Sequence, residues 1–261
     1  MTIKGKNAIV TGSTSGIGLA IAHSLAAEGC NIMLNGFGEK AAIDALLIEL
    51  PKTYGIKVEY SPADMSKPED ISQMVEYCIR TLGSADILVN NAGIQFVAPI
   101  ENFLEAKWDA ILAINLSSAF HSIKAAVPGM RANNFGRIIN IASAHGLVAS
   151  RGKAAYVAAK HGLVGLTKVV ALETAESNIT CNAICPGWVH TPLVQKQIED
   201  NAKAAGISVE QATNDLLGEK QPNKRFARPE DIGGLVVFLC SDYGKPMTGE
   251  ILSIDGGWTA Q

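Results

Sequence analysis

"NAIVTGSTSGIGLAIAHSLAAEG", residues 7–29, runs from a short apolar segment through a loop with three glycines into a stretch of helical periodicity. Gly12, Gly16 and Gly18 follow the apolar run at G-x3-G-x-G spacing and stand at the mouth of the helix. Glycine lets the backbone turn tightly there and approach a pyrophosphate, which meets the unpaired N–H groups and positive end of the helix. The candidate contacts are Gly12, Thr14, Ser15, Gly16, Ile17 and Gly18. An ordinary strand-to-helix turn is the competing reading of an isolated glycine cluster, and the surrounding pattern decides between them.

Short β-rich apolar runs recur at 8–10, 31–34, 58–60, 87–89, 138–141, 180–184 and 251–254, with longer helical patterns at 19–27, 71–82, 108–130, 154–176 and 229–239. Parallel strands need long crossover connections and bury both faces, so strict alternation of this kind predicts a parallel sheet covered by helices on both sides. The expected fold is α/β, a single-domain Rossmann-type doubly wound sheet of seven strands over residues 1–261. In that setting the glycine loop reads as a dinucleotide site. Residues 187–228 are polar, weakly helical and without a strand, and are read as a mobile substrate lid over the carboxyl ends of the strands.

With 22 basic against 25 acidic residues, a net charge of -3 and no Lys/Arg run, nothing argues for a nucleic-acid or anionic-membrane surface, and small-molecule partners are favoured. No apolar run approaches the ~18 residues that span a bilayer, and the N-terminus has no basic leader with an apolar stretch behind it. The 5 cysteines are scattered through apolar segments, which predicts reduced core thiols and a cytoplasmic location. Cys181 and Cys185 lie in an expected strand with no second pair, so no metal site is expected.

The end of the second strand discriminates between dinucleotides. A carboxylate there would hold a ribose 2'-hydroxyl and a basic side chain a 2'-phosphate. The chain has Asn35, Gly36 and Phe37 instead, so neither group is present; with no Arg for a 2'-phosphate and Phe37 able to cover the ribose or adenine, NAD is expected. Asp64 and Met65 after the third strand are candidate adenine neighbours, Asp64 being equally suited to cap a turn. Asn91, Ala92 and Gly93 end the fourth strand at the same sheet edge, where Gly93 permits close approach of a ribose.

Tyr156 and Lys160 are four residues apart and share one face of a helix. A free Tyr titrates at about 10, and a neighbouring ammonium favours its phenolate, so the pair suits an acid/base group acting on an alcohol. Ser143 ends the fifth strand, at the sheet edge where it can hydrogen-bond the same oxygen. Around this trio stand Gln95, His145 and Lys153, with Trp188, His190, Gln195, Lys196 and Gln197 on the expected lid. Cationic and amide donors on several sides match a small anion. The alternative is a turn-capping His145, a solvated Lys153 and water-facing glutamines.

Taken as a set, "TGSTSGIG", "NNAG", Ser143, "YVAAK", "CPGWVHTP" and the terminal "DGGW" resemble the short-chain dehydrogenase/reductase family over essentially the whole length. The resemblance implies Tyr156 as acid/base, Ser143 polarising the reacting oxygen, Lys160 modulating Tyr156 and contacting the nicotinamide ribose, and Asn115 holding a proton-relay water. It also implies that Pro186, Gly187, Val189 and Thr191 close over the nicotinamide. Within the family the stretches "NNAGIQ", "KAAYVAAKHG" and "NAICPGWVHTPLVQKQI" resemble members that interconvert (R)-3-hydroxybutyrate and acetoacetate with NAD. That implies Gln95, His145, Lys153 and Gln197 on the substrate carboxylate, Trp188 against its methyl end, and a homotetramer whose surfaces include "DGGWTAQ". Phe96 and the Asn35–Phe37 segment depart from the pattern. The alternatives are an NADPH-dependent 3-oxoacyl-thioester reductase, which calls for basic residues not seen here, and a non-catalytic dinucleotide sensor, which would not need Tyr156 and Lys160.

Overall fold

The computed structural model describes residues 3–261, so the first two residues of the expected domain lie outside the described residues. Seven strands, β1 (Asn7–Val10), β2 (Asn31–Asn35), β3 (Val58–Ser61), β4 (Ile87–Asn90), β5 (Gly136–Ile141), β6 (Ile179–Pro186) and β7 (Ile251–Ile254), form one sheet. Its order is β3-β2-β1-β4-β5-β6-β7 and every pairing is parallel. Each expected strand is present: β7 keeps its expected bounds, β6 is longer at both ends, and the other strands are longer by one or two residues at one end.

The apolar runs form strands because both faces are covered. Val10, Leu34, Val89 and Ile139 enter one core, whereas their neighbours Ile9, Met33, Leu88 and Ile138 enter the other, the two-residue alternation of a strand buried on both sides. The first core is closed by α1 (Gly16–Ala27) and α9 (Pro229–Cys240). The second is closed by α3 (Pro68–Leu82), α5 (Ser118–Ala132) and the far half of α6 (Ala154–Glu173).

Helix α3 shows how local chemistry sets an element. Pro68 opens it, Glu69 and Asp70 complement the positive first turn, and Gly83, with φ 104°, ends it in a conformation that favours glycine. Ile71, Met74, Val75 and Cys78 form its buried stripe, and each of the larger three is worth roughly 1.5–3 kcal/mol on burial. Helix α2 (Lys40–Tyr54) escaped the sequence reading because it buries only Ile43 and Leu50 fully and carries Pro51 in its last turn.

The expected helix over 108–130 is a composite of α4 (Glu105–Leu112), a π-helical turn (Ala113–Ser117) and α5. Contrary to the expectation from uninterrupted apolar runs, Glu105–Ala132 and α6 are each long and apolar enough to cross a membrane, with mean hydropathy 1.3 and 1.2. Both serve here as sheet-covering helices, and their buried faces carry Asn115, Ser122, Lys160 and Thr167.

The polar region after β6 folds as two helices, α7 (Pro192–Ala205) and α8 (Val209–Lys220). Ile198, Ala202 and Ala212 form their own small apolar cluster with Val194, Leu216 and Phe226, apart from the two sheet cores. The chain runs outward from β1 to β3 and then returns to β4 on the other side of β1. That reversal opens a crevice at the carboxyl ends of the strands, the place where doubly wound sheets bind ligands.

Candidate active site

A cleft of about 570 Å³ occupies this crevice and divides into two ends. At the first end the glycine loop is held by side chains from three strands. Thr11 Oγ1 accepts the N–H groups of Asn91 and Ala92 at 2.9 and 3.0 Å. Asn91 Nδ2 donates back to the carbonyls of Thr11 and Gly12 at 2.8 and 3.1 Å. Asn35 Oδ1 accepts the Gly12 N–H at 3.3 Å, while its Nδ2 donates to Ser61 and Ala63 carbonyls. The backbone of Thr11 and Gly12 is thereby fixed, and Gly12, Thr14, Ser15, Gly16, Ile17 and Gly18 line the cleft.

Gly18 has no room for a Cβ, which would run into the Gly12 carbonyl. Gly16 has φ +56° and lines the cleft, where a Cβ would point across toward Thr191 Cγ2, 3.8 Å away. Ser15 makes no capping hydrogen bond and α1 has no acidic residue in its first turn, leaving the positive helix end for an anion. These residues fit the pyrophosphate of a dinucleotide.

Beyond the loop, Thr14 Oγ1 donates to the Phe37 carbonyl at 2.8 Å and the Tyr60 hydroxyl to the Gly36 carbonyl at 2.8 Å. Gly36, at φ +142°, passes so close to Thr14 that a Cβ would lie 2.7 Å from its hydroxyl. Phe37, 69% exposed, borders the cleft with Asp64 and Met65. No Lys or Arg lines this end, and Lys40 is paired with Asp44. Asp64 caps its turn as well: it accepts the Ser66 N–H and hydroxyl at 2.9 and 2.7 Å, which hold its carboxyl below the usual range.

Ser143 leaves β5 and starts a short 3-10 turn (Ala144–Gly146), its Oγ accepting the His145 N–H at 3.1 Å. Its hydroxyl also acts on the Tyr156 phenol, and both side chains line the cleft. One turn further along α6, Lys160 is 4% exposed and its Nζ donates to the Ile141 carbonyl at 2.7 Å, 5.7 Å from the centre of the Tyr156 ring. Burial lowers the Lys160 ammonium to about 8. Burial raises the Tyr156 phenol, and the Ser143 hydrogen bond opposes that rise.

Asn115, 2% exposed, sits at the centre of the π-helical turn, a local irregularity often found at functional sites. Its Oδ1 accepts the Ile94 N–H and its Nδ2 donates to the Ile94 carbonyl, both at 2.9 Å. It lies behind Gly93 and Ile94 rather than in the cleft wall, because its amide is engaged edge-on with a peptide group.

At the second end, Gln95, His145, Lys153 and Trp188 line the cleft together. His145 is 4% exposed, hydrogen-bonds Ser150 Oγ through Nε2 at 2.9 Å, and is lowered to about 4 by burial and by the nearby cations Lys153 and Lys220. It is therefore a neutral hydrogen-bonding group. Lys153 Nζ stands 5.5 Å over the Trp188 ring, burial lowering its ammonium, and no carboxylate among the described residues forms a salt bridge with it.

Gln197 is the exception among the expected substrate ligands. It is exposed on α7 and outside the cleft wall, one turn beyond Leu193, which lines it. Pro186, Gly187, Val189 and Thr191 do form the wall between the two ends. Thr191 starts α7 by accepting the Val194 N–H at 3.3 Å. Trp258 was missed, since "DGGW" reads as a terminal surface. It is 7% exposed, stacks on Trp188 at 6.2 Å and meets the His145 ring edge-on at 5.0 Å. Its aromatic character after two glycines was the available signal.

Comparison with known proteins agrees with this arrangement. Residues 12–259 match the family model described as enoyl-(acyl carrier protein) reductase. The chain is 58% identical over 259 residues to the D-beta-hydroxybutyrate dehydrogenase of Cupriavidus necator, covering 99% of this chain and 100% of that protein. It is 54% identical to the enzyme of the same name from Rhizobium meliloti (strain 1021), covering 98% and 99%. The structure superposes on the L-sorbose reductase of Gluconobacter frateurii, solved with NADPH and L-sorbose, at a TM-score of 0.95 and 33% identity, covering 100% of both chains. With a doubly wound sheet, a glycine loop at its switch point and a Ser-Tyr-Lys group beside it, the chain belongs to the short-chain dehydrogenase/reductase family.

Proposed function

We propose that the protein is an NAD-dependent dehydrogenase that reversibly oxidises (R)-3-hydroxybutyrate to acetoacetate. One observation carries the substrate class: the Lys153 ammonium lines the cleft beside Ser143 and Tyr156 with no salt-bridge partner among the described residues. The nearest attractive carboxylate, Glu219, is paired with Lys220, so this half-buried cation is open to an anionic ligand. The two D-beta-hydroxybutyrate dehydrogenases support the identity of that anion.

NAD, when bound, supplies the hydride acceptor. The glycine loop and the end of α1 hold its pyrophosphate, and Phe37, Asp64 and Met65 border its adenosine end. The side chain of Asn35 is engaged inside the protein and no cation lines that end, which disfavours a 2'-phosphate and with it the NADPH-dependent thioester reductase reading.

The protein's own residues divide the remaining work. Lys153 supplies charge to the substrate carboxylate, and neutral His145 and Gln95 supply orienting hydrogen bonds. Trp188 and Trp258 bound the methyl end. Ser143 donates to the reacting oxygen, and the Tyr156 oxygen accepts the hydroxyl proton, returning it in the reverse direction. Asn115 holds Ile94 in the wall, and closure of α7 and α8 as a lid brings Gln197 inward, since it follows Leu193 on the same helix face. A cytoplasmic homotetramer completes the proposal, its reducing compartment supported by five buried free thiols.

The test is the initial rate of NADH formation with (R)-3-hydroxybutyrate, its (S) enantiomer and lactate, for wild type and Lys153→Ala. Turnover confined to the (R) acid, with a raised KM or lost turnover in the variant, is expected. Silence toward all short hydroxy acids overturns the substrate assignment and leaves the fold untouched.

A further inference from the structure

The chain just after α8 carries a buried polar residue that lies outside the cleft wall. Gln221 is 2% exposed. Its Oε1 accepts the Trp188 N–H and its Nε2 donates to the Arg225 carbonyl. Two residues past Arg225, the Ala227 N–H donates to the Trp188 carbonyl at 3.0 Å, and the His190 N–H donates to the Ala227 carbonyl at 3.0 Å. Both backbone polar groups of Trp188 are thereby held by residues 221–227.

The grip leaves little freedom. A Cβ on Gly187 would lie 2.6 Å from Gln221 Oε1 and 2.8 Å from the Asp255 Cα, so the segment is pressed between the two. The Trp188 ring in turn stacks on Trp258, lies beneath Lys153 and sets the width of the substrate end. An amide suits this position because it presents an acceptor and a donor at once; an apolar isostere presents neither, and an ionised carboxyl loses the donor and faces the Arg225 carbonyl.

We infer that Gln221 is a positioning residue that fixes Trp188 against Trp258 and so sets the length of substrate the cleft accepts. The inference rests on the reading of this end as the substrate site. Gln221 acts through Trp188, and its loss disturbs the substrate end while the dinucleotide end, built from β1 to β4, is unaffected.

The experiment uses full-length Gln221→Met and Gln221→Glu. Acetoacetate reduction by NADH is followed from about pH 5.5 to about pH 8.5, with NADH affinity from fluorescence and the tryptophan signal from near-ultraviolet circular dichroism. Gln221→Met is expected to raise the acetoacetate KM about tenfold, to narrow the preference for the four-carbon acid over five- and six-carbon 3-oxo acids, and to leave NADH affinity unchanged. Its near-ultraviolet spectrum changes as the Trp188–Trp258 stack loosens.

Gln221→Glu separates positioning from simple support of the fold, and remains informative if the methionine variant does not fold. Protonated, the new acid keeps both hydrogen bonds, so its KM matches wild type at the acidic end; as the carboxyl ionises the donor is lost and the KM ratio to wild type climbs with pH. A pH-independent ratio, or parallel losses of NADH affinity and of kcat for every acid, overturns the inference. If wild type turns over no short 3-oxo acid, the substrate reading fails, and the spectral change in Gln221→Met then judges the positioning by itself: its presence supports the inference and its absence overturns it.

Discussion

The two ends of the cleft are built on opposite plans. At the dinucleotide end, Thr11, Asn35 and Asn91 satisfy backbone groups, and the cleft is lined by the glycine loop together with Phe37, Asp64 and Met65. At the substrate end, side chains carry the chemistry: among the described residues Lys153 has no salt bridge and the buried Trp188 indole N–H no hydrogen-bond partner, and His145 and Lys160, each hydrogen-bonded, are depressed to about 4 and about 8. A pyrophosphate can be recognised by rigid main chain, whereas proton transfer and carboxylate selection need side chains held away from their preferred state. The large pKa shifts along the cleft are thus gathered at one end.

That contrast can be broken by mutation. The largest effect is expected from Tyr156→Phe, which removes the proton acceptor: turnover falls by about 10²–10⁴-fold with NADH affinity unchanged in fluorescence titration. An NADH affinity that falls in step would show that the two ends are not separable.

Acid stability comes next. Folded His145 titrates near 4 against 6.5 for the free group, so between those values the unfolded chain takes up a proton that the folded chain refuses. Its contribution is intact above the unfolded pKa and is lost as pH falls from there toward 4, a limit of about 3 kcal/mol. Urea unfolding at neutral and acidic pH should show a flatter profile for His145→Gln; an identical slope would place the acid sensitivity elsewhere.

Lys153→Met should lower kcat/KM for the hydroxy acid by about 10–100-fold, mostly through KM, the scale of one charge-assisted hydrogen bond. An unchanged KM would sever the carboxylate from Lys153. The smallest effect sharpens the other end. Phe37→Arg adds a cation at the adenosine end, where no Lys or Arg among the described residues lines the cleft, at an exposed position where no core is disturbed. NADPH affinity should rise about tenfold at constant kcat for NADH; no gain would mean that the Thr14–Phe37 clasp, rather than missing charge, excludes the 2'-phosphate.

Legibility followed the range of the interaction involved. The glycine loop, the seven strands and the Tyr156–Lys160 face were readable because each depends on neighbours within a turn or a strand. Ser143, Tyr156 and Lys160 line one cleft because β5 and α6 deliver them to the same sheet edge. Helix α2 was missed because so little of it is buried, and Trp258 because its partners, His145 and Trp188, are far away in the chain. Gln197 was placed with Lys153 by resemblance, yet the packing of Ile198 and Ala202 against α8 leaves it outside the cleft.

The sequence by itself determined the alternation that makes a doubly wound sheet and the edge at which the chemistry gathers, since periodicity and glycine placement act locally. Only the tertiary structure decided which of the gathered side chains are engaged and which are free. It assigned Asn35, Asn91 and Asn115 to backbone groups, depressed His145 by burial, and left Lys153 without a salt bridge among the described residues. Burial and partnership are properties of surfaces brought together from distant parts of the chain, and no short stretch of residues carries them.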